Sequence, residues 1–346
     1  MNKIKTKITL FFLALTILFA CNNDKNIDVS HVKVNPELLR FDQDFAKLEP
    51  NKLTAQLPLM QKKYGAFYTD YFEKILNLGP LADTSYYKQV REIIKGQAFL
   101  DLQHETDSVY TNTQKIESEI TQAYKHILYY YPQTKVPKFI TYISGFQVQN
   151  PIGVGYIGIG LDMFLGANSK FYPALVESVP SYISKRFTPD NIAPRVVELV
   201  AREDMFPELD KDKTLLSKMI YNGKIMYFMD KVCPNLADST KIGFNATQIK
   251  WATQNEPDIW GFFLEENLLY QSDYFKIQRY LSEAPFTPGM GSQNESAPKL
   301  GIFIGWQIVK KYMAQNPDVT LQQLMLERDE QKVLRLAKYH PKVVTQ

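Results

Sequence analysis

The chain has 346 residues, with 40 Lys and Arg against 37 Asp and Glu, and it carries 21 Tyr and 21 Phe. Aromatic content of that order belongs to a folded body rather than a disordered segment, and the length suffices for one large domain or two modest ones. No basic run stands out, which argues against duplex nucleic acid as a partner, because phosphate binding needs clustered cations. Two cysteines exclude a disulfide framework, so the fold must rest on its core.

The N-terminus opens on Lys3, Lys5 and Lys7 and continues through the apolar run Ile8 to Ala20. That is a charged segment followed by an apolar one of signal-peptide length, shorter than the roughly 20 residues a transmembrane helix needs. Leu18-Phe19-Ala20-Cys21 reads as a lipobox, with Phe19 bulkier than usual at its position. The expectation is a signal peptide over 1–20, cleaved before Cys21, with a diacylglycerol on the Cys21 thiol and an acylated new N-terminus that together anchor the chain to a membrane. Cleavage removes three of the 40 basic residues, leaving 37 against 37 acidic ones, a mature chain of zero formal charge. Residues 21–34 form a polar tether.

A single α+β domain, predominantly helical, is expected over 35–346. Its helical N-terminal part, 35–132, takes in Glu37 to Phe45, Leu57 to Leu78 (stopped by Gly79-Pro80), Tyr86 to Phe99, and Asp101 to Tyr131, of which Ser108 to Tyr131 reads as a surface helix. A small sheet spans 136–166, from strands at Val136 to Ser144 and Ile152 to Leu161. Glycines 153, 155, 158 and 160 leave part of the second strand without side chains, which suggests close packing or a bend. A helical C-terminal part, 177–340, has patterns at Pro180 to Phe187, Ile192 to Asp204, Thr214 to Val232, Thr247 to Tyr270, Tyr274 to Leu281, Gly301 to Gln315, Leu321 to Met325 and Gln331 to Lys338. Pro285 to Lys299 reads as a long loop.

Chemistry-bearing motifs are scarce. The histidines, His31, His104, His126 and His340, are dispersed and read as surface or capping residues; His104-Glu105 lacks the second histidine of a zinc-protease motif, with Ser108 in its place. No nucleophile elbow or P-loop occurs. Glu265 and Glu266 are adjacent on a helix and diverge by about 100°. One arrangement is more suggestive. Val197-Glu198-Leu199-Val200-Ala201 keeps the glutamate of His-Glu-x-x-His but has hydrocarbon at both histidine positions, and Asn222-Gly223 on a later helix stands where a glutamate-ligand zinc peptidase carries Glu-Gly. These degenerate positions, Val197, Glu198, Ala201 and Asn222, offer neither a metal nor a catalytic set, and no cofactor is expected.

The lipobox, the block Ile159-Gly-Leu-Asp-Met-Phe-Leu-Gly166, and Leu300-Gly-Ile-Phe-Ile-Gly-Trp-Gln-Ile-Val-Lys-Lys-Tyr312 together resemble the gliding motility-associated lipoprotein GldB family, in order and over essentially the whole mature chain. The resemblance implies an envelope lipoprotein needed for gliding and linked to type IX secretion. It also implies a zincin-like (gluzincin-like) scaffold with a small sheet, here a pseudopeptidase because every metal position has changed. In that scaffold the glycine strand would border a peptide groove at Gly153, Gly155, Gly158, Gly160 and Asp162. Asp162 at its end would cap the next turn. The leading expectation is a non-catalytic interaction protein, membrane-held through its lipid, facing the periplasm and partnered by other envelope or gliding and secretion proteins. The alternatives are a membrane-anchored peptidase or other hydrolase using Glu198 or Glu265/Glu266, and a structural envelope lipoprotein without a groove.

Overall fold

The structure, a computed structural model, describes residues 27–209, 213–291 and 295–342, so the expected signal peptide and Cys21 lie outside the described residues. Contacts divide the chain into Met1–His31 and Val32–Gln346. In the first unit the Ser30 N–H donates to Asp28 Oδ1 at 2.8 Å; the second carries the architecture described below.

Leu38–Arg40 is a strand, β1, and Phe41–Ala46 a helix, α1, where one helix over Glu37 to Phe45 was expected. The strand forms because β2 (Lys138–Tyr142) pairs with it in parallel, Leu38 opposite Phe139. A partner a hundred residues away leaves no trace in the local period. The buried Asp42 carboxylate accepts from Arg40 Nη2 at 2.6 Å and from Thr141 Oγ1, fixing the β1–α1 corner by charge-assisted bonds.

Next come α2 (Leu53–Tyr64), α3 (Ala66–Asp70) and a π turn at Tyr71–Ile75. Gly65, at φ 54°, divides what the spacing presents as one helix, because that backbone region is open to glycine at little cost. Helices α4 (Tyr86–Lys95), α5 (Gln97–Val109) and α6 (Gln114–Tyr130) complete the N-terminal part. α6 is amphipathic: Ile116, Ile120, Tyr124 and Ile127 form a buried stripe facing the core, and Lys115, Glu117 and Ser118 are exposed.

The sheet order is β1-β2-β4-β3, with β3 at Ile152–Gly153 and β4 at Tyr156–Gly160. β1, β2 and β4 run parallel and β3 antiparallel. The single strand expected at Ile152 to Leu161 therefore doubles back at Val154-Gly155 into an edge strand and an interior one. Each face of the sheet has its own core. Ile140, Tyr142 and Tyr156 join an aromatic cluster around Phe41, Phe45, Phe67, Tyr71 and Phe72, where the Phe41 and Tyr71 rings meet edge to face at 4.6 Å. Phe139, Ile157 and Ile159 join the larger core built by the C-terminal helices.

Those helices are α7 (Ser181–Ser184), α8 (Ile192–Leu199, continued by a π turn at Val200–Met205), α9 (Leu215–Val232), α10 (Asp238–Ile242), α11 (Ala246–Gln254), α12 (Glu256–Glu265), α13 (Tyr274–Ile277), α14 (Leu300–Gln315), α15 (Leu321–Leu326) and α16 (Glu330–Ala337). The helix expected over Thr247 to Tyr270 breaks at Asn255, two residues before Pro257, which has no N–H for a continuing helix. α9 is buried on nearly every side and crosses α14 with the two backbones in contact. A Cβ on Gly223 would lie 2.2 Å from the Gly305 carbonyl oxygen, and one on Gly305 would lie 1.9 Å from that of Met219.

Adding a methyl at this crossing forces two helices apart through the core. Gly305→Ala is expected to destabilise the protein by about 3 kcal/mol, at the upper end for overpacking. Gly261→Ala, with nothing near the added carbon, is expected to be neutral or stabilising by up to about 1 kcal/mol. Denaturant unfolding of the two variants side by side checks both, and equal stabilities would remove the crossing as the cause.

Candidate functional site

α8 turns Ile192, Val196, Val197, Val200 and Ala201 into the core, all of them fully or nearly fully buried. Glu198 points the other way, into an ion-pair ladder at i−3 and i+4. Arg195 Nη1 lies 3.1 Å from its Oε2 and Arg202 Nε 3.0 Å from its Oε1. Burial opposes ionisation of this carboxyl, but Arg202, Arg195 and Lys299 outweigh it and hold it below the usual carboxylate range. Asn222 closes a local bond instead of facing a metal, its Nδ2 donating to the Lys218 carbonyl at 2.8 Å. Zn²⁺ does not fit these positions. Val197 and Ala201 present hydrocarbon in a packed core, and the one carboxylate is already shared between two guanidinium groups. Among the described residues no three of His, Cys, Asp and Glu approach closely enough to hold a metal ion.

The glycine strand does not border an open groove. The Gly158 and Gly160 N–H groups donate to the Pro151 and Gln149 carbonyls, both at 2.8 Å. A Cβ on Gly158 would meet the Pro151 ring at 2.7 Å, and one on Gly160 the Val148 carbonyl oxygen at 2.6 Å. Gly153 lies beneath the Tyr156 ring, and Gly155 makes the turn. The glycines admit the chain's own segment 148–151 where a ligand was expected. Asp162 is fully buried and accepts from the Phe146 N–H at 2.6 Å and from the Ser144 N–H and Oγ, which shapes the loop after β2. Burial pushes its carboxyl above the usual range, with these donors acting against the shift.

The open space lies one strand further out. A trough of about 420 Å³ runs between the segment Gln147–Asn150 and the outward side of α8, lined by Arg195, Glu198, Leu199 and Arg202. A hollow of about 240 Å³ adjoins it, sharing Gln149 and Arg195 and adding Arg186 and Glu283. Glu283 is held by Arg186 Nη1 at 2.5 Å and by Lys299 Nζ at 2.7 Å. Burial opposes its ionisation too, and Lys299 and Arg186 prevail. Lys299 also donates to the Ile242 carbonyl. Burial pushes its ammonium down to about 8, Glu283 opposing and Arg186 assisting. The sequence did not bring out Arg186, Arg195, Arg202, Glu283 or Lys299. The Arg195, Glu198, Arg202 spacing was a legible signal; the other three come from segments that only the fold joins.

A separate cavity of about 310 Å³ lies between α6, Pro194 and Cys233–Leu236. It contains His126, which is buried and not the surface residue expected; no group pairs with its Nδ1, and burial pushes its pKa down. Burial raises the neighbouring Cys233 thiol to about 12. His104 and His340 are exposed, as are Glu265 and Glu266.

Fold and trough together define a predominantly helical α+β protein whose open site is a trough with its charges paired. No curated protein and no solved structure matches the chain. The chain belongs to the lipoprotein family described as gliding motility protein GldB, whose model matches residues 22–341. Among the described residues no helix is long and apolar enough to cross a membrane.

Two outcomes follow. Because the Glu198 carboxyl titrates below its ordinary value of 4.5 in the folded chain, its contribution to stability is complete above that value and is lost as pH falls through the lower folded one. Glu198→Gln is expected to cost about 2 kcal/mol at neutral pH, the gap to the parent narrowing below about pH 4.5; unfolding curves with the same gap at pH 7 and pH 3.5 would rule out the ion pairs as its origin. Cys233, with so high a pKa, is expected to resist iodoacetamide at pH 7.5 in the native protein and to react readily in denaturant, as read by mass spectrometry of the peptide that contains it.

Proposed function

We propose that the protein is a non-catalytic interaction protein of the cell envelope. It is held to a membrane by lipid on Cys21, faces the periplasm, and offers the trough beside α8 to other components of the gliding and type IX secretion apparatus. The observation that carries this reading is the state of Glu198. A general base over a metal-bound water needs a free lone pair and a metal beside it. Glu198 has both oxygens engaged by arginines, and the flanking ligand positions are core hydrocarbon. The zincin-like reading of the scaffold belongs to the same proposal. A short antiparallel edge strand, a helix carrying a glutamate and a following helix carrying Asn222-Gly223 occur in the order a gluzincin uses, so the chain reads as a peptidase architecture kept for binding.

Elemental analysis of the purified full-length protein is expected to find no stoichiometric zinc, and mass spectrometry of its N-terminal peptide to find acyl chains on Cys21. One equivalent of zinc that a chelator removes along with function would overturn the non-catalytic reading; an unacylated Cys21 would overturn the anchor.

A further inference from the structure

The trough carries an imbalance of charge with a direction. The trough and the hollow that adjoins it are lined by three cations, Arg186, Arg195 and Arg202, and two carboxylates, Glu198 and Glu283, with Lys299 buried behind Glu283. Each carboxylate is already shared by two cations, and along the lining one positive charge remains over. The charges are not evenly placed. Lys299 is buried, with 8% of its side chain exposed, whereas Arg195, Arg202 and Arg186 are 36%, 24% and 21% exposed. Glu198 and Glu283 are 17% and 31% exposed, so the excess faces the opening at the Arg195 and Arg202 end, where the arginines are more exposed than the carboxylate they share. The ion pairs occupy Nη1 of Arg195, Nε of Arg202 and Nη1 of Arg186, and each guanidinium is a rigid five-donor fork. The forks are braced: Arg202 sits 5.8 Å over the Tyr221 ring, and Arg186 lies against Gly243, where a Cβ would come within 2.4 Å of its Cζ. Prepositioned arginines in a partly desolvated trough are suited to carboxylates. The opposite wall adds amides, Gln147, Gln149 and Asn150, and no charge.

We propose that this trough binds an extended acidic peptide, with its carboxylates paired to Arg195 and Arg202 and its far end reaching Arg186. The proposal rests on the reading of the trough as the docking surface and adds to it the chemistry of the partner. A net positive wall attracts the complementary segment and disfavours a basic one through like-charge contact. The mature chain has no net charge by its formal count, so the preference is local to the trough.

The test uses the full-length protein in a neutral maltoside detergent and three fluorescent twelve-residue peptides in which Thr alternates with Glu, with Gln or with Lys. Anisotropy is expected to show the Glu peptide binding at least tenfold more tightly than the Gln peptide, with affinity falling as salt rises, and the Lys peptide not binding. Arg195→Gln with Arg202→Gln is expected to bring the Glu peptide down to the level of the Gln peptide. Should that variant unfold, Gln149→Glu, which places a carboxylate on the facing wall and leaves both ion pairs intact, is expected to weaken the Glu peptide about tenfold and spare the Gln peptide. Equal binding of the Glu and Gln peptides, unmoved by Gln149→Glu, would overturn the acidic preference and leave the docking surface standing. No binding of any of the three would overturn both.

Discussion

The contact between the backbones of α9 and α14 at Gly223 and Gly305 is the constraint from which the rest of the C-terminal half follows. A helix surrounded by protein cannot be placed by one amphipathic stripe, because it has no wet face to orient it. Here its position is set by Gly223 and Gly305, which let the two backbones come together. With that crossing fixed, α8 and α6 pack against α9, and the outward side of α8 is left to meet the edge of the sheet.

The trough is a by-product of two unrelated packing solutions. On one side the glycines of β4 let residues 148–151 lie close against the strand, so the edge of the sheet is thickened by its own chain. On the other, α8 buries its aliphatic side so completely that its charged residues have only one direction in which to point. Arg195, Glu198 and Arg202 then satisfy one another before any ligand arrives. Lys299 and Glu283, brought in from beyond α13, continue the same network, and their coupling to Arg186 ties three distant segments together. A network of this kind is stiff: none of its members can be removed without leaving another buried charge short of a partner.

The helical character of the chain, the position of the small sheet and the extents of α9 and α14 were legible in the sequence, because long apolar periodicities are dominated by burial. What was illegible was whatever depended on a distant partner. Leu38–Arg40 has a helical pattern and becomes a strand because Phe139–Thr141 lies alongside it. Ile152 to Leu161 reads as one strand and becomes a hairpin because Gly155 turns it. At the site, the sequence singled out the right helix for a partial reason. Glu198 stood out against a metal motif, but its own arginines, at ordinary helical spacing, define its chemistry. Gly223 attracted notice as half of a degenerate metal pair, and its role proves to be one of volume.

The sheet has two borders, and both are short: β1 has three residues and β3 two. A lipoprotein shares a two-dimensional surface with its own copies, where meetings between equivalent edges are frequent. Long open borders would allow neighbouring molecules to zip together through backbone pairing, a contact that is indifferent to sequence. Borders this short give such pairing little to hold. A partner would then be chosen by side chains, which discriminate where a backbone does not.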